Sequence, residues 1–328
     1  MSSRSVVPSE KVLSSCVAAA GSAPSLHNSQ PWKFVIDGNA IELYADSDRR
    51  LRVIDPAGRE QLISVGAALF TLRLAISRSG FASRTRMFPS AMDPELVARV
   101  TVRGRATVTA AAESLSAAIS HRRTNRWAFS PVSPPEAAVE SLRDAARQEG
   151  AVLSVASPVA RTALLGLARS ADRWLRERPG YEEELDRWTT GAGQREGVPR
   201  WAAGASDALG VMPLRDFTGK SGHRRPAENF ESQPTVLVLA TEGDRPENWV
   251  RAGQALQRLL LTATCQQLAA MPISQLVEVP AVRKILLGPD SELSAQMVLR
   301  VGYGRVPPAT PRRPAGEVLK VREEALVR

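Results

Sequence analysis

The residues best suited to chemistry concentrate in two runs of this 328-residue chain, about a hundred residues apart. One is His121-Arg122-Arg123-Thr124-Asn125-Arg126-Trp127-Ala128-Phe129. The other is Ala23-Pro24-Ser25-Leu26-His27-Asn28-Ser29-Gln30-Pro31-Trp32-Lys33-Phe34. A guanidinium grips phosphate at two points and stacks on flat aromatic groups, and the Thr124 hydroxyl suits a phosphate or a polyol chain. Taken alone, Arg-Arg-x-x-Arg also describes a solvated basic helix end, and Pro31-Trp32 describes ordinary core packing.

Arginine dominates the charge. Of 43 basic residues only Lys11, Lys33, Lys220, Lys284 and Lys320 are lysine, and the net charge is +9. Basic residues alternate with acids, as in Arg143-Asp144 and Glu177-Arg178, and no basic run interleaves with aromatics, so no nucleic-acid partner is expected. Apolar residues make up 43% and charged residues 23%, an ordinary globular composition. No apolar run approaches the roughly 18 residues that span a bilayer, and no membrane partner is expected. Residues 1–20 lack a signal-peptide core, which reads as cytoplasmic. Cys16 and Cys265 build no disulfide framework, and His27, His121 and His223 are too few for a zinc site. A Rossmann fingerprint, a phosphate loop and a nucleophile elbow are all missing; Gly204-Ala205-Ser206 lacks the second glycine of the last.

These runs need elements to hold them. A helix is expected over 10–20, ending at Gly21, then a loop, then a hairpin of 32–36 and 40–44 about Asp37-Gly38-Asn39. Asp55-Pro56-Ala57-Gly58 is a turn before a long apolar helix over 60–79, and a strand follows at 99–102. A helix over 113–120 leads into the arginine run. Ser133-Pro134-Pro135-Glu136 starts another helix, followed by a strand at 152–155 and helix over 158–185 with a break near Pro179-Gly180. Residues 234–240 read as a buried strand, 249–269 as a long apolar helix and 295–301 as a strand.

Two features complete the pattern. Gly66-Ala67-Ala68-Leu69-Phe70-Thr71-Leu72-Arg73-Leu74 aligns with Gly253-Gln254-Ala255-Leu256-Gln257-Arg258-Leu259-Leu260-Leu261, sharing Gly, Ala, Leu and Leu at a spacing that allows close helix packing. Residues 189–233 are rich in Gly and Pro without periodicity, with Trp201, Met212 and Phe217 as spaced apolar anchors. A connection of that length reads as a lid or binding loop.

Together the two runs resemble signature segments of the FMN-dependent nitroreductase superfamily, in reversed order. Ordinarily the arginine segment opens the chain and Asn-x-Gln-Pro-Trp follows. The arrangement is similar to the fused, Acg-like mycobacterial branch, as are Asp48-Arg49, Asp55-Pro56 and Arg59-Glu60. The resemblance implies an α+β, nitroreductase-like fold. It would consist of two fused half-repeats, 1–112 and 113–328, each with a mixed, mainly antiparallel sheet flanked by helices. Such a chain mimics the family's homodimer as a monomeric pseudo-dimer, with a lid-like insertion at 189–233. Each half lacks one motif, so one FMN per chain is expected.

The same resemblance implies the site. Arg122 and Arg123 would serve the phosphate or ribityl end, Thr124 the ribityl region, and Arg126 the N1/O2 edge. Pro24, Ser25, Leu26 and Asn28 would lie against the ring, with Gln30 behind them. In Ala270-Met271-Pro272-Ile273-Ser274-Gln275, the Ile273-Ser274 pair would bring a backbone N–H near N5. Arg312, and more weakly Arg313, would meet the phosphate. No metal and no side-chain nucleophile is implied. Two functions follow: an oxidoreductase passing electrons from NAD(P)H, as a transient donor, through FMN to a nitroaromatic or quinone-type small molecule, or a protein that sequesters FMN beneath a closed lid.

Overall fold

The computed structural model describes residues 8–190, 194–217, 225–288 and 291–322. The chain runs α1 (Glu10–Ala20), β1 (Trp32–Asp37), β2 (Ala40–Ala45), α2 (Arg59–Arg78), β3 (Phe81–Met87), β4 (Leu96–Arg105) and α3 (Ala110–Ala118). It continues α4 (Glu136–Gln148), β5 (Val152–Val155), α5 (Pro158–Arg176), α6 (Tyr181–Arg187), β6 (Thr189–Thr190), β7 (Val198–Pro199), β8 (Ser206–Asp207), β9 (Ala227–Glu228) and β10 (Thr235–Glu242). Then come α7 (Pro246–Cys265), β11 (Ala269–Pro272), α8 (Gln275–Glu278), α9 (Pro280–Ile285), β12 (Leu293–Gly302), α10 (Ala315–Val318) and β13 (Leu319–Val321).

Two main sheets result, ordered β13-β1-β2-β4-β3 and β11-β12-β10-β5. All their pairings are antiparallel except β1 with β13. The expected α+β class, with mixed, mainly antiparallel sheets flanked by helices, is what the chain adopts. One apolar core is built on the first sheet with α1 and α2, and a second on the other sheet with α4 and α7.

Helices α2 and α7 join these cores. A Cβ added at Gly66 would lie 2.2 Å from the Val250 carbonyl oxygen, and one at Gly253 would lie 2.0 Å from that of Ile63. The two backbones touch there, an approach that only glycine permits. By length and composition α2 is apolar enough to cross a bilayer, a feature absent from the expectation above. Its apolar surface is spent inside the molecule, where 83% of that stretch is buried.

Several elements differ from expectation. Helix α7 ends at Cys265, and Gln267 with φ +59° turns the chain into strand β11, where helix was expected to continue to Ala269. The break expected near Pro179-Gly180 is present: α5 and α6 are divided at Gly180 with φ +81°. Strands β3 and β13 have no counterpart in the expectation. The 189–233 segment is not wholly irregular: β6 pairs β7 and β8 pairs β9, each over two residues. Residues 191–193 and 218–224 of that segment lie outside the described residues.

Candidate functional site

A cavity of about 850 Å³, its open mouth included, lies beside the α2–α7 crossing. Ile63, Ser64 and Ala67 of α2 and Leu256 and Leu260 of α7 form its floor. Pro24, Ser25, Leu26 and His27 close one side, Thr124 and Arg126 another, and Met271, Pro272, Ser274 and Gln275 a third. Pro213, Leu214, Arg215 and Phe217 of the 189–233 segment complete the wall.

The loop from residue 23 to 30 is held in unusual backbone. His27, Asn28 and Gln30 have φ of +47°, +55° and +50°, a region that costs a non-glycine residue on the order of 1 kcal/mol or more. Hydrogen bonds hold it there. The Ser25 hydroxyl accepts from Gln30 N–H at 2.9 Å. Asn28 Nδ2 donates to the Gly197 and Pro311 carbonyls at 2.9 and 3.1 Å. Gln30 Nε2 donates to the Arg195 carbonyl at 2.9 Å, and its Oε1 accepts from Arg313 N–H at 2.8 Å. Asn28 and Gln30 therefore tie the loop to the 189–233 segment and to the C-terminal arm, and neither lines the cavity.

The arginine run is extended and bridges β11: Asn125 N–H donates to the Ala270 carbonyl at 3.0 Å. Extended backbone alternates its side chains. Thr124 and Arg126 face the cavity, while His121, Arg123 and Asn125 face a second cavity behind the run. Glu231 anchors the end of the run, accepting from Phe129 N–H at 3.0 Å. Glu231 is itself paired with the fully buried Arg300, whose guanidinium stacks 3.6 Å from the Phe129 centroid.

The electrostatics are lopsided. Arg122, Arg123 and Arg312 lie close enough to repel one another, and among the described residues none has a carboxylate partner. Arg122 Nε and Nη1, Arg123 Nε and Arg312 Nε are buried without a hydrogen-bond acceptor. Burial, then repulsion by Arg312 and Arg123, pulls Arg122 down to about 9; burial and Arg123 pull Arg312 down to about 10. At neutral pH these groups stay cationic and lack a counter-charge. A buried donor without an acceptor is costly, and a charged one more so. The cluster fits a phosphate dianion. On the cavity wall His27 Nδ1 and Gln275 Nε2 also lack acceptors. With Nε2 accepting from Arg215 at 3.0 Å, the His27 proton belongs on Nδ1. These donors suit a ligand rich in acceptors.

Acids gather at the other end of the cavity. Glu60 lines it, pairing with Arg59 at 2.7 Å, and Arg215 pairs with Glu278. Arg126 stacks over the Phe217 ring at 4.8 Å and donates to the Ala202 carbonyl at 3.1 Å. Burial, then repulsion by Arg215 and Arg225, lowers Arg126 to about 10.

Of the residues singled out from sequence, Pro24, Ser25, Leu26, Thr124, Arg126 and Ser274 line the cavity. Arg122 and Arg312 sit in the cation cluster with Arg123. Ile273 is buried behind the wall. Arg313 turns away to Glu317, 3.5 Å from its carboxylate. Of the three apolar anchors, Phe217 reaches the cavity, Met212 packs against α5 and the second sheet, and Trp201 is 46% exposed. Sequence reading missed His27, Glu60, Arg215 and Gln275. His27 and Glu60 carried a signal, standing within the quoted loop run and the quoted Arg59-Glu60 pair, whereas Arg215 carried none.

The nitroreductase family model matches residues 119–303. In Mycobacterium tuberculosis strain H37Rv, the uncharacterized protein Rv3127 is 33% identical over 95% of this chain and 94% of its own length. The protein named "Putative NAD(P)H nitroreductase acg" from the same strain is 31% identical over 95% and 96%. Among solved structures, the FMN-dependent nitroreductase NfnB from Mycobacterium smegmatis, in complex with NADPH, aligns with a TM-score of 0.38 and 19% identity over 60% of this chain and 95% of that one. With the family model matching more than half of the chain and relatives of about one-third identity spanning nearly all of it, this protein belongs to the nitroreductase family.

Proposed function

We propose that this chain is an FMN-dependent NAD(P)H oxidoreductase with one flavin site, assembled between an N-terminal half (1–112) and a C-terminal half (113–328) of a pseudo-dimeric monomer. The observation that carries it is the buried cation cluster, without a carboxylate partner among the described residues, in the same run as Thr124 and Arg126, which line a cavity whose spare donors call for acceptors. FMN offers a phosphate, a ribityl chain and ring carbonyls. Arg122 and Arg312 would hold the phosphate, with Arg123 adding charge, and Thr124 the ribityl chain. Arg126 would face the ring edge that becomes negative on reduction, and Ser274 would add its N–H. The flavin would supply the redox chemistry between NAD(P)H and a small flat acceptor, nitroaromatic or quinone. The protein's part is to bind, orient and exclude water.

Sequestration of FMN is the second reading. It is favoured by Phe217, which lines the cavity and stands edge-on to His27 with centroids 5.1 Å apart. The described part of the 189–233 segment then acts as a closed lid. One experiment separates the readings: load the protein with FMN and add NADPH anaerobically. Bleaching of the flavin absorbance supports the oxidoreductase; retained colour with FMN still bound supports sequestration.

A further inference from the structure

Holding FMN gives no role to the carboxyl on the cavity wall. Glu60 opens α2, and its side chain is 4% exposed. One carboxylate oxygen accepts from Arg59 Nη2 at 2.7 Å. Arg59 does not serve Glu60 alone: its other donors reach the Gln296 carbonyl at 2.8 Å and the Val277 carbonyl at 3.2 Å. Charged groups act on Glu60 from several elements. Asp55 comes from the preceding turn, Glu278 from α8 and Arg215 from the 189–233 segment, with His27 bonded to Arg215.

Three carboxyl groups, Asp55, Glu60 and Glu278, therefore share a dry site with two cations, Arg59 and Arg215. Each of the three has one partner, Glu60 being paired with Arg59. Asp55 accepts from Gln61 N–H at 2.8 Å, and Glu278 is paired with Arg215. Like charges this close do not all ionise, and the surplus is relieved by holding a proton. Of the three, Glu60 is the one on the cavity wall.

We propose that Glu60 is the general acid that gives a proton to the oxygen of an acceptor bound in this cavity. This rests on the oxidoreductase reading. For a quinone, a hydride equivalent brings two electrons and one hydrogen, and the Glu60 proton completes the hydroquinone. Glu60 remains as a carboxylate beside Arg59 and regains its proton from water. Burial raises the Glu60 carboxyl to about 8, with Glu278 and Asp55 pushing up and Arg59 and Arg215 pulling down. A donor in that range carries its proton at neutral pH and releases it readily, as general acid catalysis requires.

The test compares the wild type with Glu60→Gln and Glu60→Asp. Holoprotein reduced chemically, without NAD(P)H, is mixed with a water-soluble benzoquinone or with ferricyanide, which takes single electrons and no proton. The ratio of the quinone rate to the ferricyanide rate should fall on the order of 10²-fold in Glu60→Gln. In the wild type it should decline as pH rises through about 8, and in Glu60→Gln it should be flat. Glu60→Asp should be slower than wild type yet keep the pH dependence. Infrared spectra of the apoprotein, with glutamate carboxyls isotope-labelled, should show a protonated carboxyl band that disappears on raising the pH through the same range and is missing in Glu60→Gln. An unchanged rate ratio in Glu60→Gln, or no such band, overturns the proposal alone. Failure of the wild-type holoprotein to reduce either acceptor overturns the oxidoreductase reading with it.

Discussion

The two sides of the α2–α7 crossing start from similar helices and end differently. With Gly66 aligned to Gly253, the positions matching Ala67 and Leu260 of the cavity are Gln254 and Arg73. On the cavity side these are small or apolar residues that leave space. On the other side they fill it: Arg73 Nη1 donates to Glu149 at 2.8 Å and to Gln254 Oε1 at 2.6 Å, while Gln254 Nε2 lies 3.9 Å from the Met87 sulfur. Arg258 joins the same Glu149 at 3.0 Å. One side answers its polar groups internally. The other leaves guanidinium, imidazole and amide donors waiting. A binding site is recognised here by unmet hydrogen-bonding capacity more than by shape, and the contrast argues for a single flavin per chain.

The largest effect should come from removing the unmet charge. Arg122→Ala or Arg312→Ala should lose the proposed charge-assisted phosphate contact, about 1.5–3 kcal/mol or roughly 10–150-fold in affinity. The double variant should bind FMN at least about 10²-fold more weakly by titration calorimetry. The same substitutions should leave the melting temperature of the apoprotein equal or higher, because they relieve repulsion among cations that burial already disfavours. A structural role would lower both. An apoprotein that melts lower with FMN affinity intact would remove the cluster from the site.

Next in size is Gly204→Ala. Gly204 has φ +79°, and an added Cβ would lie 2.2 Å from the Arg126 carbonyl oxygen. The substitution must push the 189–233 segment off Arg126 or displace Arg126 itself. Expected costs are on the order of 1–3 kcal/mol, read as weaker FMN binding with the helical core intact by circular dichroism. If the segment seals the cavity, NADPH should bleach the flavin faster in this variant than in the wild type; a slower rate would mean that the segment builds the nicotinamide pocket.

How much of this was legible follows from how local each signal is. The loop and arginine runs each lie within about a dozen residues, and each glycine of the crossing is marked within its own nine-residue repeat, so their chemistry shows in sequence. The acid cluster joins Glu60, Arg215 and Glu278 from three distant stretches, and nothing local marks them as partners. Strand β3 was illegible because its residues, Phe-Ala-Ser-Arg-Thr-Arg-Met, lack apolar alternation; only Phe81 is buried in it. Strand β13 joins β1 across nearly the whole chain, with Phe34 opposite Leu319. Trp201 looked like an anchor by composition, but residue type does not say which way a loop turns.

A smaller effect tests the buried acid and base in the apoprotein. His27 is held well below its usual 6.5, first by burial and then by Arg215 and Arg126. The unfolded chain takes up that proton below pH 6.5, so stability from His27 is lost as pH falls. Glu60 is opposite in sign: its folded value of about 8 exceeds the usual 4.5, so its contribution is present at low pH and lost between about 4.5 and 8. Between pH 5 and 6 the two slopes oppose each other, each of about 1.4 kcal/mol per pH unit. Glu60→Gln removes one, and the variant should lose stability on acidification more steeply than the wild type in urea melts. Parallel curves would mean that Glu60 does not hold its proton.

The smallest effect sharpens the comparison itself. Arg73→Ala removes the side chain that fills the counterpart of the cavity, leaving Glu149 to Arg258 and one Gln254 oxygen without its donor. Arg73 is about one-third exposed, with 36% of its side chain accessible, so the ion pair itself is worth little and the loss should be about 1 kcal/mol. The informative readout is stoichiometry. Among the described residues the counterpart has no cluster of unpartnered cations like Arg122 and Arg312, so opening space there should create no second site. Released flavin should still equal one per chain in Arg73→Ala. Two flavins per chain would show that packing alone, and not the missing arginine run, had kept the second position closed.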